Sequence, residues 1–237
     1  MPCREPQIGL SEAVASVRAQ SFEDWELVIA QDGKSNVAMQ VLGDAAFDPR
    51  IKVLDPLAYG SASRARNAAL ARARGRYIAF LDADDLWLPN KLDVQMAAMR
   101  KDQVPFCCSA YSVEKIGGST IRRTPPDTMT QRTLLRGNRI GCLTAVYDSK
   151  ILGKQPMPDI GMRHDYALWL RLLGQTERCV GLSEVLAIHR RKPGSLSADA
   201  LKATVATWSM LRQEAGLSPL RAASTVVSHS IGRLIRG

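Results

Sequence analysis

The first half of the chain alternates between two apolar patterns, and this alternation constrains the fold more than any other feature. Compact apolar runs rich in β-branched and aromatic residues predict buried strands at 25–30, 51–54 and 77–81. Patterns typical of helices lie before, between and after them, at 11–20, 36–46, 61–74 and 89–101. Strands that alternate with helices predict a three-layer α/β sandwich with a mainly parallel central sheet.

The second half is less regular, and its patterns are shorter. We predict strands around a Gly117–Gly118 turn in 104–123, a loop with a short helix in 125–142, a helix in 165–174, a strand, turn and strand in 178–191, and a helical tail in 199–236. We therefore expect the regular α/β framework in the N-terminal half of the chain and the irregular segments in the C-terminal half.

Composition excludes several classes of protein. Of the 237 residues, 46% are apolar and 23% are charged, a balance typical of a globular domain rather than a disordered or fibrous chain. No apolar run approaches the ~20 residues that span a bilayer, and the first residues carry no signal-peptide pattern. The five cysteines include no CxxC pair, so we expect buried thiols in a reducing cytoplasm rather than disulfides or a zinc site.

Positive charge is concentrated towards the C-terminal end. The formal net charge is +9, and residues 186–237 hold eight Lys or Arg against two acidic residues, so +6 of the excess lies there. Such a surface suits a phosphate-bearing ligand, nucleic acid or an anionic membrane. Aromatic residues make up only 5% of the chain and no RNA-binding motif is present, so an RNA-binding module ranks last and no nucleic acid is expected.

Three carboxylates follow the third predicted strand. The segment FLDADD at 80–85 runs from an apolar strand directly into Asp82, Asp84 and Asp85. Ligands of open α/β sheets bind beyond the carboxyl ends of strands, and adjacent carboxylates repel one another unless a cation or donors satisfy them. Oxygen ligands favour Mg²⁺ or Mn²⁺, which also bind substrate phosphates. On this pattern alone, a metal–nucleotide site and an acidic turn that caps the next helix are equal alternatives.

Two further residues occupy positions from which they could join such a site. Asp32 follows the first predicted strand and could accept hydrogen bonds from a base or ribose, although Asp-Gly is also typical of a simple turn. Arg66 lies in the helix that precedes FLDADD, where a guanidinium could hold a phosphate or stack on a base. Taken singly, each of these residues is more often an ordinary surface residue.

Five segments occur in a fixed order: AQDGKS (30–35), DPRIKVL (48–54), GSASRARNAALARARGRYIAFLDADDLWLPNKL (60–92), RHDYALWLRLL (163–173) and LAIHRRKPGSLS (186–197). This order resembles glycosyltransferase family 2, the inverting enzymes of the GT-A fold, in its bacterial surface-glycan form. The resemblance implies one GT-A-like catalytic domain over 1–216, with a nucleotide-binding half at 1–103 and an acceptor-side half at 104–216. A basic amphipathic helix is then expected at 217–237.

The resemblance implies donor-binding roles for several residues. Asp82 and Asp84 match the DxD motif, which binds the diphosphate of a nucleotide sugar through Mg²⁺ or Mn²⁺, and Asp85 adjoins them. Asp32 matches the acidic residue that recognises the base, and Arg66 matches a nucleotide contact.

Asp165 matches the carboxylate that serves as general base in the family. Inversion by one direct displacement requires the acceptor hydroxyl to lose its proton as it attacks, and a facing carboxylate can take that proton. Contacts to the acceptor or the diphosphate are further implied for His164, His189, Arg190 and Arg191. Two positions depart from the family pattern: Gln31 stands where many members carry Asp, and His164 stands where Glu is usual.

A third departure concerns the N-terminal residues. Residues 1–4 resemble the turn that follows the family's first strand, so we expect that strand to be missing and Met1 to be an internal residue of the natural protein. A central strand of about six apolar residues contributes on the order of 10 kcal/mol of burial. That is comparable to the net stability of a whole domain, roughly 5–15 kcal/mol.

The activity implied by the resemblance is transfer of a sugar from a nucleotide-diphosphate sugar, with UDP favoured, to a glycan or lipid-linked acceptor. The protein would be cytoplasmic, and 217–237 could rest on the inner membrane face or pack back on the domain. Two alternatives stay open. One is an inactive or truncated member that only binds. The other is a phosphatase of the haloacid dehalogenase type, whose nucleophile motif also follows an apolar strand, although Asp85 stands where it has Thr or Val.

Overall fold

The computed structural model describes residues 1–4, 9–33, 37–191 and 200–234. The helices, α1 to α9 in chain order, are Leu10–Arg18, Val37–Leu42, Ala62–Arg72, Lys91–Asp102, Gln131–Leu134, Ser149–Leu152, His164–Leu173, Ala200–Gln213 and Pro219–Leu234. The strands, β1 to β10, are Pro2–Arg4, Leu27–Asp32, Ile51–Val53, Tyr77–Ala79, Leu86–Trp87, Phe106–Glu114, Thr120–Arg123, Thr128–Met129, Val146–Asp148 and Cys179–Arg190.

The strands form two sheets. Three parallel strands in the order β1-β2-β3 form the first, and the second follows the order β4-β9-β6-β10-β5, with β7 beside β6 and β8 beside β10. In the second sheet β6 and β10 are parallel, and the other pairs are antiparallel. The α/β class agrees with the prediction, but the sheet is mixed rather than mainly parallel. The antiparallel pairs arise in the second half of the chain. There, short connections such as the β6–β7 hairpin join neighbouring strands, whereas parallel pairing requires a long, usually helical, crossover.

Two local predictions are wrong. Residues 2–4 were expected to form a turn, yet Pro2–Arg4 pair with β2, with Pro2 opposite Ala30 and Arg4 opposite Asp32. Residues 178–191 were expected to turn back on themselves, yet β10 is one long strand along β6. The pairing with β6 shifts register on either side of Val185, so the strand continues in one direction instead of turning back.

Both faces of the sheets are covered, as buried α/β strands require. In β2, Val28 packs with Ala65 and Ala69 of α3, whereas Leu27 and Ile29 alternate to the other face and join the cluster of α1. In the second sheet, Phe106 and Cys108 face α7, while Cys107 lies in the cluster of Met96 and Met99 on α4.

The largest cluster joins the two segments that carry the predicted site. Trp169 of α7 is fully buried, and its ring centroid lies 5.6 Å from that of Phe80, in an edge-on contact. Phe106 lies at the same centroid distance on another side of Trp169. Phe80 is two residues before Asp82, and Trp169 is one helical turn after Asp165. Aromatic burial of about 1.5–3 kcal/mol per side chain therefore fixes the two carboxylate-bearing segments against each other.

The C-terminal helices pack on the domain by one side only. Ala222 is fully buried, and Leu217 and Val226 pack against the same cluster. Leu220 and Val227, apolar residues of the amphipathic helix expected at 217–237, are instead 85% and 56% exposed. Within the described residues, the helices are too short or too polar to cross a bilayer.

Candidate functional site

The three carboxylates of the FLDADD segment lie in a tight turn between β4 and β5. The amide of Asp85 donates to the carbonyl of Asp82 at 3.1 Å, which closes the turn. Asp82 and Asp84 are partly exposed, whereas Asp85 is buried. The three acidic residues therefore differ in what they can contact, although they are neighbours in sequence.

Asp82 is paired with a buried arginine. Arg66 of α3 donates through Nη2 to the Asp82 carboxylate, and its Nη1 lies 2.7 Å from Nε2 of His164. A guanidinium only donates, so Nε2 of His164 is the acceptor in this contact and the imidazole carries its proton on Nδ1. Burial is the largest single influence and opposes ionisation of Asp82. The charge and the hydrogen bond of Arg66, with smaller contributions from His164 and the Met1 amino group, together outweigh burial and lower the pKa of Asp82 below its usual range.

His164 adjoins Asp165 at the start of α7. Burial and then the Arg66 charge lower the pKa of His164, which favours the neutral imidazole. Asp165 is partly exposed in the first turn of the helix, where the helix dipole favours a carboxylate. The predicted base therefore lies one residue from a neutral histidine that is held by the same arginine as Asp82.

Asp85 has a different set of partners. Its Oδ1 accepts from Nδ1 of His189 at 3.0 Å and from the backbone amide of Arg190 at 3.1 Å. Burial raises the pKa of Asp85 even though His189 bonds to it, and that bond raises the pKa of His189. Asp85 therefore fixes the end of β10 to the carboxylate turn.

Of the two predicted arginines of this segment, Arg190 pairs with protein carboxylates through its side chain, and Arg191 is bound through its backbone. The Arg190 guanidinium pairs with Glu12 and lies 3.7 Å from Glu114. Arg191 is exposed, and its amide donates to the Glu114 carbonyl at 3.0 Å. Residues 192–197 of the predicted motif, like residues 34 and 35 of the AQDGKS motif, lie outside the described part of the chain.

Asp32 lies at the end of β2, in the three-stranded sheet. Its Oδ1 accepts from the Gly60 amide at 3.0 Å. Gly60 has a φ of +73°, a conformation that favours glycine, and it precedes Ser61, the N-cap of α3. Asp32 thus orders the loop that leads into the helix of Arg66.

Residues that the sequence patterns did not identify also border this site. Tyr111 of β6 is partly buried, and burial raises the pKa of its phenol, with smaller contributions in the same direction from the negative charges of Asp165 and Asp85. Its ring passes close to Gly141, where a Cβ would lie 2.9 Å from Cε1 of Tyr111. A tyrosine in an apolar strand carries no sequence signal for such a position.

Gly9 contacts the carboxylate turn from the N-terminal side. Its φ is +106°, and a Cβ there would lie 3.2 Å from the Ala83 carbonyl oxygen and 3.3 Å from Cα of Asp84. Only glycine fits this backbone conformation and this close approach without strain. The turn that carries Asp84 is therefore held by backbone contact as well as by side chains.

The donor set is compatible with a divalent cation of the Mg²⁺ or Mn²⁺ type. Among the described residues, no group of three or more His, Cys, Asp or Glu converges on one point. Such an ion keeps several waters and needs only one or two carboxylates when it also binds substrate phosphates. Asp84 is partly exposed at the tip of the turn and fits that requirement. Asp82 lies two residues before it and is paired with Arg66.

Comparison with known proteins gives consistent matches. Residues 1–150 match the family model described as glycosyl transferase family 2. The chain is 35% identical over 207 residues to TuaG of Bacillus subtilis (strain 168), a glycosyltransferase named for teichuronic acid biosynthesis. The match covers 86% of this chain and 82% of TuaG.

A second relative and a solved structure complete the comparison. The chain is 32% identical over 213 residues to WfgD of Escherichia coli, named as a UDP-Glc:alpha-D-GlcNAc-diphosphoundecaprenol beta-1,3-glucosyltransferase, with 89% and 83% of the two chains covered. Residues 1–349 of S. aureus TarS, solved in complex with UDP-GlcNAc, superpose with a TM-score of 0.74 at 16% identity. That superposition covers 95% of this chain and 68% of the TarS chain, and it bears on the fold alone.

Proposed function

The chain belongs to glycosyltransferase family 2, and on that premise we propose that it transfers a sugar from a UDP-sugar to a lipid-linked or glycan acceptor with inversion. The family, the glycosyltransferase class and the GT-A-like fold predicted from the motif order are confirmed. The phosphatase alternative is excluded by the same matches. One observation carries the proposal: Arg66 joins the Asp82 turn to His164, the neighbour of Asp165.

The proposed donor is a UDP-sugar. WfgD is named for UDP-Glc, and TarS was solved with UDP-GlcNAc. In this chain Asp32 uses Oδ1 for the Gly60 amide, and its Oδ2 is the atom proposed to accept from the base or ribose. Arg66 contributes a buried positive charge that is paired with Asp82, and it is proposed to contact the diphosphate as well.

Mg²⁺ or Mn²⁺ is proposed to bind at Asp84, with Asp82 beside it. When bound, the cation supplies positive charge that stabilises the departing diphosphate. The protein residues hold the carboxylates in place: Arg66 orients Asp82, and Gly9 supports the backbone of Asp84. Asp85 acts through its bonds to β10 and is a positioning residue rather than a ligand.

Asp165 is proposed as the general base. The acceptor hydroxyl attacks the anomeric carbon, the bond to the UDP oxygen breaks, and the hydroxyl proton moves to the Asp165 carboxylate. Burial and the Arg66 charge lower the pKa of His164 and favour its neutral form, so this imidazole does not pair with the Asp165 carboxylate as a cation.

The acceptor is proposed to be presented at a membrane surface. Leu201, Val205 and Trp208 lie on one face of α8 and are 74%, 58% and 40% exposed. Leu220 and Val227 add exposed apolar side chains on α9, in the region of the chain that carries most of the basic excess. Exposed apolar and basic groups on helices are typical of proteins that rest on anionic bilayers.

Calorimetric titration with UDP and Mn²⁺ tests the donor site. We expect metal-dependent binding by the wild type, loss of at least tenfold in affinity in Asp84→Ala, and no change in Asp44→Asn, which alters an exposed carboxylate after α2. Equal affinity in Asp84→Ala would remove Asp84 from the metal site.

Transfer assays test the base separately from binding. Asp165→Asn should keep UDP binding and lose at least 100-fold in transfer of sugar to a diphospholipid-linked acceptor. A wild type that binds UDP and Mn²⁺ but transfers no sugar to any such acceptor would favour the non-catalytic alternative.

A further inference from the structure

Two arginines lie on the second sheet beside the candidate site, one on β7 and one just after β10. Arg123 of β7 is paired directly opposite Tyr111 of β6. Residues that stand opposite one another in an antiparallel pair project to the same face of the sheet. Arg123 and the partly buried Tyr111 therefore share one face, and Arg123 is exposed there.

The strand on the other side of β6 brings the second arginine to this face. His189 of β10 pairs with Val113, which lies two residues after Tyr111 and therefore on the same face. Arg191 lies two residues after His189, and its amide donates to the Glu114 carbonyl at 3.0 Å, which continues the ladder beyond the end of β10. Because side chains alternate along a strand, the exposed Arg191 returns to the face of His189 and Tyr111.

The two arginines differ from the arginines next to them in the chain. Arg190 pairs with Glu12, and Arg122 donates to a backbone carbonyl. Within the part of the chain that the structure describes, no carboxylate pairs with the guanidinium of Arg123 or of Arg191. Two positive charges on one face are therefore available to a bound anion.

The phenol of Tyr111 lies among these charges. Burial is the largest cause of its raised pKa, while Arg123 and Arg191 lower that pKa and Asp165 and Asp85 raise it. These influences agree with the placement of both arginines on the face of Tyr111, and they relate that face to the proposed base. An acceptor whose hydroxyl reaches Asp165 would therefore extend over Tyr111 towards the two arginines.

We propose that Arg123 and Arg191, on either side of Tyr111, form an anion subsite that binds the diphosphate of a lipid-linked acceptor. This role rests on the proposed function and adds to it the group by which the acceptor is held. Neighbouring strands are about 4.8 Å apart, so β7 and β10 place the two arginine backbones about 10 Å apart, with β6 between them. A diphosphate offers oxygens on two linked phosphates, so it can accept hydrogen bonds from two guanidinium groups that approach from opposite sides.

The donor diphosphate has a separate place. It is proposed to bind at the carboxylate turn and Arg66, which belong to the first half of the chain, whereas Arg123 and Arg191 belong to the second half. The bond of 3.0 Å between Asp85 and His189 holds the end of β10 against the carboxylate turn. The two diphosphates would therefore bind near each other but on different residues.

Calorimetric titration with farnesyl diphosphate tests the subsite. The full chain is first saturated with UDP and Mn²⁺, so that the donor site is filled, and Mn²⁺ is kept equal in cell and syringe. The wild type should bind farnesyl diphosphate more tightly than farnesol, which lacks the charge, and this affinity should fall as salt rises.

Three variants locate the binding. Arg123→Gln should lose roughly fivefold or more in affinity for farnesyl diphosphate, and Arg123→Lys should lose less because it keeps the charge. Arg122→Gln removes the same charge from the opposite face of β7 and should bind like the wild type. The affinity for UDP and Mn²⁺ and the unfolding temperature should be unchanged in Arg123→Gln and Arg123→Lys.

Three results would overturn the proposal. The wild type could fail to bind farnesyl diphosphate, farnesol could bind as tightly, or Arg123→Gln and Arg122→Gln could weaken binding equally, which would indicate general surface charge. Failure of the proposed function would instead be detected in the preceding titration, as a wild type that does not bind UDP with Mn²⁺. Binding of farnesyl diphosphate that depends on Arg123 would then still support the subsite.

Discussion

Replacement of the buried Lys91 by methionine should remove a specific pH dependence of stability. Lys91 opens α4 and is fully buried; its Nζ donates to Oε1 of Gln95 and lies 4.2 Å from the centroid of the Trp87 ring. Burial lowers the pKa of Lys91 from 10.5 to about 7. Methionine keeps the length of the side chain and removes its charge.

The sign follows from proton linkage. Between about pH 7 and 10.5 the unfolded chain binds a proton at Lys91 that the folded chain has released, so stability rises with pH in this window. Below about pH 7 both states are protonated and the cost of burial is constant. At about 1.4 kcal/mol per pKa unit, and with the folded chain half-protonated at pH 7, the gain from pH 7 to 9 is about 2 kcal/mol.

Urea unfolding at pH 7, 8 and 9 measures this gain. The free energy of unfolding of the wild type minus that of Lys91→Met should rise by about 2 kcal/mol over the series, because all other titrating groups cancel in the difference. The lost hydrogen bond to Gln95 changes this free-energy difference by the same amount at every pH, so it does not change how the difference depends on pH. Lys101→Met, at an exposed position of the same helix, should give a flat difference. Parallel curves for the wild type and Lys91→Met would refute the reasoning and mean that Lys91 stays charged above pH 9.

Three further changes test the site. Gly9 has a φ of +106°, and the Cβ added by Gly9→Ala would lie 3.3 Å from Cα of Asp84. This variant should therefore be less stable by about 1–3 kcal/mol and should bind UDP and Mn²⁺ more weakly in calorimetry. Arg66→Lys keeps the charge but cannot bridge Asp82 and His164, so sugar transfer should fall at least tenfold while the unfolding temperature changes little. Val205→Glu, at an exposed position of α8, should reduce flotation with anionic vesicles without affecting UDP binding.

The local parts of the fold could be predicted from the sequence because their signals are local. A helix was expected at 61–74, and α3 begins there, with the Ser61 side chain accepting from the Arg64 amide at 3.2 Å as its N-cap. The hairpin at Gly117–Gly118 was likewise expected, and both glycines have positive φ. Periodicity and turn residues determine such features within a few positions of the chain.

The pairing of side chains within the site could not be predicted in this way. Arg66 and His164 are 98 residues apart, and Asp85 and His189 are 104 apart. The motif order indicated that these residues belong to one site, but not that Asp82 is bound to an arginine or that Arg190 turns to Glu12. Side-chain pairing depends on packing between distant elements, which the pattern of a single segment does not encode.

The loop before α7 is fastened to α3 in a way that limits how such proteins can be recombined. The Asn67 side chain makes two hydrogen bonds with the backbone of Met157. Its Nδ2 donates to the Met157 carbonyl at 2.8 Å, and its Oδ1 accepts from the Met157 amide at 2.8 Å. Two residues on, the Asp159 carboxylate accepts from Nε of Arg64 at 2.6 Å and from the Ser61 hydroxyl at 3.1 Å. A chimera that joins residues 1–103 of this chain to the second half of a relative would sever all of these bonds unless that relative carried matching groups. The half-domain is therefore not a unit that can be exchanged intact. A graft of the second half from a relative would have to include α3 of that relative as well.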